Sequence, residues 1–401
     1  MTPANLALPR VPPPPILILI AAFLLPYTIA YLAHLPRTRF MRIGLYPLSL
    51  ACGLWVALAV EHPRLKLDDE TASSVLGVGS IMWHIGAATR YTFTELPPVL
   101  HPLPRQPAFP RLRSSTAFRA LDLLLNEYRH INLAPSAPLQ PSLRTYRQSL
   151  LYHLRCAILH LLLIDLFSYP FFRVAPHTIG SPFHVGGEYY PIRADIAATL
   201  AVPELVVQVG ATACLGLVTY HGIGSMWHIS AILGIGSGVW VDEEWVELMD
   251  RPWMASSLSE LWGKRYHQDF FLLVTSPLST LPAPFRLMGI FLSSALFHAS
   301  IFSPLTHSLA LRPYLSFFLL CGLGVLGERT FRRVSGRRVE GWAGRMWTWS
   351  WMVFAGTELV AHEYGTGWAG AMRGIFGQVR ATSAVEWAVY ALGLGRSPLG
   401  P

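Results

Sequence analysis

Apolar runs of about 20 residues recur along most of this chain, separated by shorter polar stretches, which is the spacing of a helical bundle in lipid. The candidate spans are residues 16–35, 43–60, 73–88, 146–167, 196–218, 223–240, 285–302, 314–326 and 346–359. The last two fall short of the ~17 to 25 residues that a crossing helix needs, so about nine is an upper count. The pattern predicts an all-α fold, a polytopic transmembrane bundle of about eight to nine segments, in one integral membrane domain over residues 1–401. Residues 1–15 are proline-rich and extended. The run that follows them is too long for a signal sequence and lacks a small-residue cleavage site before Arg37, Arg39 and Arg42, so it reads as an anchor.

Charge tests that count. Arg37, Arg39 and Arg42 place the first loop in the cytoplasm, and Arg105, Arg111, Arg113, Arg119 and Arg129 do the same for the long loop of residues 95–141. Arg329, Arg332, Arg333, Arg337, Arg338 and Arg345 belong on that side too, yet five full crossings after the long loop would put them on the other. One of the five segments therefore does not cross. The glycine-rich stretch 222–238 and the short run 314–326 are the candidates for a broken or re-entrant helix, which only a protein-lined or water-filled cavity tolerates. Within the long loop, residues 118–128 are amphipathic; either they lie on the membrane with Leu121, Leu124 and Leu125 directed into it, or they are simple linker.

Composition supports the membrane reading: 52% of the residues are hydrophobic and only 13% charged, against about 25% charged in soluble domains. The net charge of +8 lies in loops beside apolar runs rather than on one basic face, which suits anionic lipid and a polyanionic cosubstrate and argues against nucleic acid. Cys52, Cys156, Cys214 and Cys321 each fall in an apolar run with no metal spacing, so they read as small buried hydrophobes, and no metal site is expected.

The informative chemistry is histidine. His298 lies in the apolar run 287–302, where an imidazole is costly unless it meets a cavity or a partner. Ser294 precedes it by one turn on the same helical face, and a purely structural bond to that serine or to a carbonyl is the competing reading. His267 lies in the segment 257–270, which is too polar to cross and rich in aromatics. Trp262, Tyr266 and Phe270 repeat there at i, i+4 spacing, as on an interfacial or cavity-lining helix. Lys264, Arg265 and Gln268 set cationic and amide donors beside His267, as an anionic cosubstrate requires. Other patterns read as structural. The G-x-G-x-x-G of residues 322–327 sits in an apolar run without a preceding strand and predicts close helix packing. His362 and Glu363 lack a second histidine, and His84, His160, His221 and His307 read as structural, with His228 a weak cavity candidate.

Pro252, Trp253, Ser257, Leu258, the run from Trp262 through Gly263, Lys264, Arg265 and Tyr266 to His267, and the run from Ser294 to His298 together resemble the wax-synthase branch of the membrane-bound O-acyltransferases. The likeness is greatest to fungal members, some of which acetylate terpenoid and other secondary-metabolite alcohols. It is specific over residues 195–363, the expected catalytic core, and architectural before that. The resemblance implies a bundle around a tunnel in the endoplasmic reticulum membrane, where an acyl-CoA and a lipophilic alcohol meet. It implies that His298 is catalytic. The second polar position, often asparagine in the superfamily, is His267 here. Trp262, Lys264, Arg265 and Gln268 are the expected contacts to the cosubstrate; no permanently bound cofactor is expected.

Chemically, a base within reach of an alcohol removes its proton as it attacks a thioester. A positioned donor, for which His267 is the candidate, stabilises the oxyanion by roughly 3 kcal/mol. No nucleophile motif accompanies the histidines, which favours direct transfer. Acetyl transfer leads, long-chain wax ester formation is the alternative, and a transporter or lipid-binding membrane protein is the reading from a different class.

Overall fold

The computed structural model describes residues 6–7, 14–59, 79, 81, 84–94, 102–126, 140–174, 189–266, 281–306, 308–365 and 383–392. They are helical apart from loops and a two-residue antiparallel pair in which Leu6 and Ala7 lie against Leu309 and Ser308. In chain order the helices are α1 (Ile16–Ala33), α2 (Arg39–Ala59), α3 (Pro110–Ser114), α4 (Thr116–Asn126), α5 (Tyr146–Val174) and α6 (Tyr189–Leu200). There follow α7 (Glu204–Gly236), α8 (Leu258–Glu260), α9 (Ala283–Thr306), α10 (Leu311–Ser335), α11 (Gly341–Gly365) and α12 (Ala384–Ala391). Residues 84–93 are also helical.

Six described helices, α1, α2, α5, α7, α9 and α10, are long and apolar enough to cross a membrane. Their outward faces agree. Leu151, Leu154, Ile158, Leu159, Leu162 and Leu166 of α5 are all exposed, an apolar surface that water would penalise and lipid does not. The composition and the surface are those of a membrane protein.

The expected break at residues 222–238 is absent. Residues 204–236 form one helix, so the two spans expected at 196–218 and 223–240 are a single crossing preceded by the separate α6. The chain turns between them at Ala201, with φ of 50°, and at Pro203, which stands before α7 where its missing N–H is not needed. The glycines of α7 serve contact instead. A Cβ on Gly224 would overlap the His160 ring, and one on Gly234 would overlap the Trp245 indole. Glycine thus marks close approach here, not a hinge.

The other expected irregularity, 314–326, is the middle of the 25-residue α10, which continues through Glu328 and Arg329 and ends where Gly336, φ +70°, returns its N–H to the Arg332 carbonyl. Correcting both segments resolves the charge conflict. Among the described residues, four helices long and apolar enough to cross, α5, α7, α9 and α10, lie between the long loop and the arginines after α10, an even number that places both basic stretches at the same end.

Other contacts tie the long loop to the segment after α7, and the first loop to the end of the helix over residues 84–93. Arg113 donates to both Glu244 carboxylate oxygens at 2.6 and 2.7 Å and to the Val239 carbonyl at 3.0 Å. The amide of Ala108 bonds the Gly238 carbonyl, and Arg42 donates to the Tyr91 and Thr94 carbonyls. Helix α4 is neither linker nor fully lipid-facing. Ala120, Leu123 and Leu124 pack on Ile29, Ala30 and Ala33 of α1 and on Ala87, Ala88 and Tyr91. Leu121 and Leu125 are exposed as an interfacial helix requires, whereas Leu124 is turned into the protein.

In sealed vesicles, a membrane-impermeant maleimide is expected to label Ser115→Cys and Arg337→Cys from the same side. Labelling from opposite sides contradicts the four-crossing arrangement.

Candidate functional site

Helices α9 and α10 pack along their lengths, with α11 behind α10, and their core contains Phe291, Ala295, Ala299, Phe317, Phe318 and Cys321. The glycines of the 322–327 run give the close packing their spacing predicts. Gly322 lies under Met288 and Phe291, and Gly324 under Leu258 and Trp351, with no room for a Cβ.

Onto this core the chain folds the segment 252–266. Ser257 caps α8 by accepting from the Glu260 amide at 2.9 Å. Its remaining amides meet a carboxylate from another helix: Glu328 of α10, itself buried, accepts from Leu258 N at 2.7 Å, Ser259 N at 2.8 Å and Trp347 Nε1 at 3.0 Å. An anion at a helix start satisfies donors that otherwise stay open. The fit is close on α11 too, since a Cβ on Gly344 would overlap the Ser256 carbonyl.

After Glu260 the segment winds into one π turn, Leu261–Arg265, closed by the bond from Tyr266 N to Leu261 O at 2.9 Å. Such wide turns recur at functional sites because they redirect side chains. Here Trp262 and Tyr266, edge to face at 5.5 Å, both line a cavity of 290 Å³ bounded by this turn, α9 and α10. The cavity-lining role expected from the spacing is thus seen for Trp262 and Tyr266, on a π turn, while Phe270 lies outside the described residues. Leu287, Ile290 and Phe291 form the α9 wall, Phe318 and Val325 the α10 wall, and Ser259, Ser294 and Arg329 are its polar members. From Arg329 to Phe318 along α10 is ~16 Å, so the cavity leads from the arginine-rich end into the bundle.

His298 stands one turn beyond Ser294, its ring against Phe318 with centroids 4.8 Å apart. Its Nδ1 lies 2.8 Å from the Ser294 carbonyl. A carbonyl only accepts, so Nδ1 carries the proton and Nε2 of the neutral ring is the basic nitrogen. The carbonyl bond expected of a merely structural histidine is therefore also what sets the tautomer of a base.

The other expected site residues divide. Trp262 lines the cavity, and its buried indole N–H has no oxygen or nitrogen acceptor among the described residues. Burial pushes the Tyr266 phenol up to about 12, which keeps it a protonated donor at neutral pH. Arg265 is held by Glu260 at 2.7 Å and by the Asp250 carbonyl at 3.0 Å, closing the π turn rather than reaching the cavity. Lys264 is exposed on the turn. His267 and Gln268 lie outside the described residues.

Sequence reasoning missed Glu328 and counted Arg329 only as a loop charge. It also missed a second polar system: His153 and His160 of α5 face His228 and His221 of α7, with Nδ1–Nδ1 distances of 2.8 and 2.9 Å. The signal was present, since each helix carries its two histidines seven residues apart, on one face. Among the described residues no three histidine, cysteine or acidic groups converge as metal ligands. No family model, curated protein or solved structure matches the chain.

Glu328→Ala leaves the Leu258 and Ser259 amides and the Trp347 N–H without their acceptor, an expected loss of about 1–3 kcal/mol per buried group left open. Thermal unfolding in detergent, followed by tryptophan fluorescence, reads it. An unchanged midpoint contradicts the docking role.

Proposed function

We propose that the protein is an acyl-CoA-dependent O-acyltransferase that esterifies a lipophilic alcohol, with acetyl-CoA as the favoured donor. What carries this reading is the tautomer of His298, proton on Nδ1 and lone pair on Nε2, one turn from a mostly apolar cavity with an arginine at its outer end.

Arg329 binds the phosphates of the CoA ester from the cytoplasm, and the acyl end extends inward along a tunnel towards His298. The alcohol reaches the same centre from the membrane. His298 Nε2 takes the hydroxyl proton as the oxygen attacks the thioester carbonyl. The tetrahedral oxyanion draws on donors carried by the docked turn, the Trp262 N–H and the Tyr266 O–H, or on His267. Collapse expels the CoA thiolate, which recovers the proton from the His298 imidazolium, so one base serves both steps and no acyl-enzyme forms. The apolar walls exclude water, the competing nucleophile.

A crossing bundle of about eight segments in the endoplasmic reticulum, with α11 and the segment that includes residues 84–93 completing the set, fits this use of a cytoplasmic donor and a membrane-dissolved acceptor.

Microsomes bearing the protein are expected to form esters from hydrophobic alcohols with acetyl-CoA, and less or none with palmitoyl-CoA. The reverse preference would assign wax-ester synthesis, and hydrolysis alone with every acceptor would exclude both. His298→Ala is expected to lower ester formation by about 10²-fold or more while the chain stays folded. Arg329→Ala is expected to raise the KM for the CoA ester roughly tenfold with kcat little changed, as loss of a charge-assisted phosphate contact should. Equal loss of kcat would instead place Arg329 at the reacting centre.

A further inference from the structure

The acyl-transfer reading uses neither of two other buried polar systems. At the seam of α10 and α11 the Tyr314 hydroxyl donates to Glu363, a closed pair. The four histidines between α5 and α7 are different, because they form a file with two carboxylates, Asp242 and Glu247, at its arginine-rich end.

The His153–His228 and His160–His221 pairs sit on antiparallel helices, their levels ~10 Å apart, and the His160 and His228 rings link them with centroids at 5.4 Å. Gly224 leaves the space His160 occupies. At the arginine-rich end, His153 Nε2 lies 3.4 Å from Asp242 Oδ1, and His228 Nε2 lies 3.9 Å from Glu247 Oε2. Asp242 also accepts from Ser142 and faces Arg144 at 3.6 Å. Glu247 accepts from Tyr152, and its side chain is 54% exposed. At the inner end His221 stacks on Phe167, and Asp165 accepts from the Ser383 hydroxyl at 2.8 Å and the Val385 amide at 3.1 Å at the start of α12. The other titratable groups beside the file are Cys156 of α5 and Tyr220 of α7. Helix α11 meets α7 lower down, where Thr357 bonds Gln208 and Tyr364 lies on Ala211.

We propose that this file is a proton path through the α5–α7 seam, running from the Asp242–Glu247 end to Asp165 and separate from the acyl-transfer cavity. Ionisable side chains in a membrane span are costly unless they pair with one another or face a cavity, and a chain of paired histidines leading from carboxylates has the make-up of a proton relay. The hydrogen bonds set the direction of exchange. Hydrogen bonding and Arg144 hold Asp242 down to about 2, against its own burial, and this carboxylate faces His153 Nε2 at 3.4 Å, an ion-pair contact that favours the proton on that nitrogen. His153 Nδ1 therefore accepts from the Nδ1–H of His228, whose Nε2 is bare and turned to Glu247.

A proton arriving from Glu247 binds that Nε2. The His228 imidazolium so formed keeps its Nδ1–H shared with His153, whose other nitrogen faces the Asp242 carboxylate, so the added proton leaves on the His160 side. A ring rotation at His228 delivers it to His160 and restores the bare Nε2, and His160 passes a proton on to His221 through their Nδ1 contact. Asp165, five residues beyond His160 on α5, is the outlet this path proposes.

The test uses the full chain in liposomes loaded with a pH-sensitive dye, with a potassium diffusion potential driving proton uptake. The expected influx is at least tenfold above protein-free vesicles. His160→Gln, which keeps a donor and an acceptor but cannot pass a proton through itself, is expected to return flux to background while retaining ester formation. Asp165→Asn serves as a second variant with the same expected loss should His160→Gln not fold. Wild-type flux no greater than that of empty vesicles, or flux unchanged in folded variants, overturns the proton path. Flux without ester formation by the wild type would leave it standing and reject the acyltransferase reading instead.

Discussion

The Glu328 carboxylate holds the site together. A buried charge is costly unless its oxygens are satisfied, and this one takes two backbone amides from the start of α8 and the Trp347 indole N–H. The bond is reciprocal in effect: the amides neutralise an anion inside the bundle, and the anion fixes a short, otherwise unstable turn to α10. A single helical turn has no stability of its own. Everything that turn presents, Trp262 and Tyr266 above all, has its place because Glu328, Gly324 and Gly344 leave one way for the segment to seat.

Around that anchor the molecule sorts its polar groups by seam. The lipid-facing surfaces carry leucine, isoleucine and phenylalanine. The α9–α10 seam carries His298 and the cavity, the α5–α7 seam carries the histidine file, and the shared end carries the arginine–carboxylate contacts. Along each seam the polar groups bond to one another or to the backbone, as a medium without water favours, whereas the Trp262 indole N–H beside the cavity has no oxygen or nitrogen acceptor among the described residues. The two seams differ in kind. His298 meets a backbone carbonyl, which fixes one tautomer, whereas the four histidines meet one another, which lets the proton move.

Much of this was legible in sequence where a residue contrasts with its immediate neighbours. His298 stands out because apolar residues surround it, and the Trp262–Tyr266 spacing announced a shared face. The arginines gave a parity that nine crossings could not satisfy, and the conflict was real even though its expected cause was not. A glycine-rich helix was read as a break, because sequence shows that glycine removes a side chain but not which ring fills the space. Long-range pairing was beyond reach for the same reason. His153 and His228 are far apart in the chain, and Glu328 looks like an ordinary loop charge until α8 folds onto it.

A density map of the full chain in lipid nanodiscs, with a non-hydrolysable acetyl-CoA analogue bound, tests the central claim most directly. The expected result is density along the cavity beneath Trp262 and Tyr266, phosphates at Arg329 and the carbonyl mimic within hydrogen-bond reach of His298 Nε2. An analogue bound elsewhere, or a carbonyl separated from His298 by a closed wall, would contradict it.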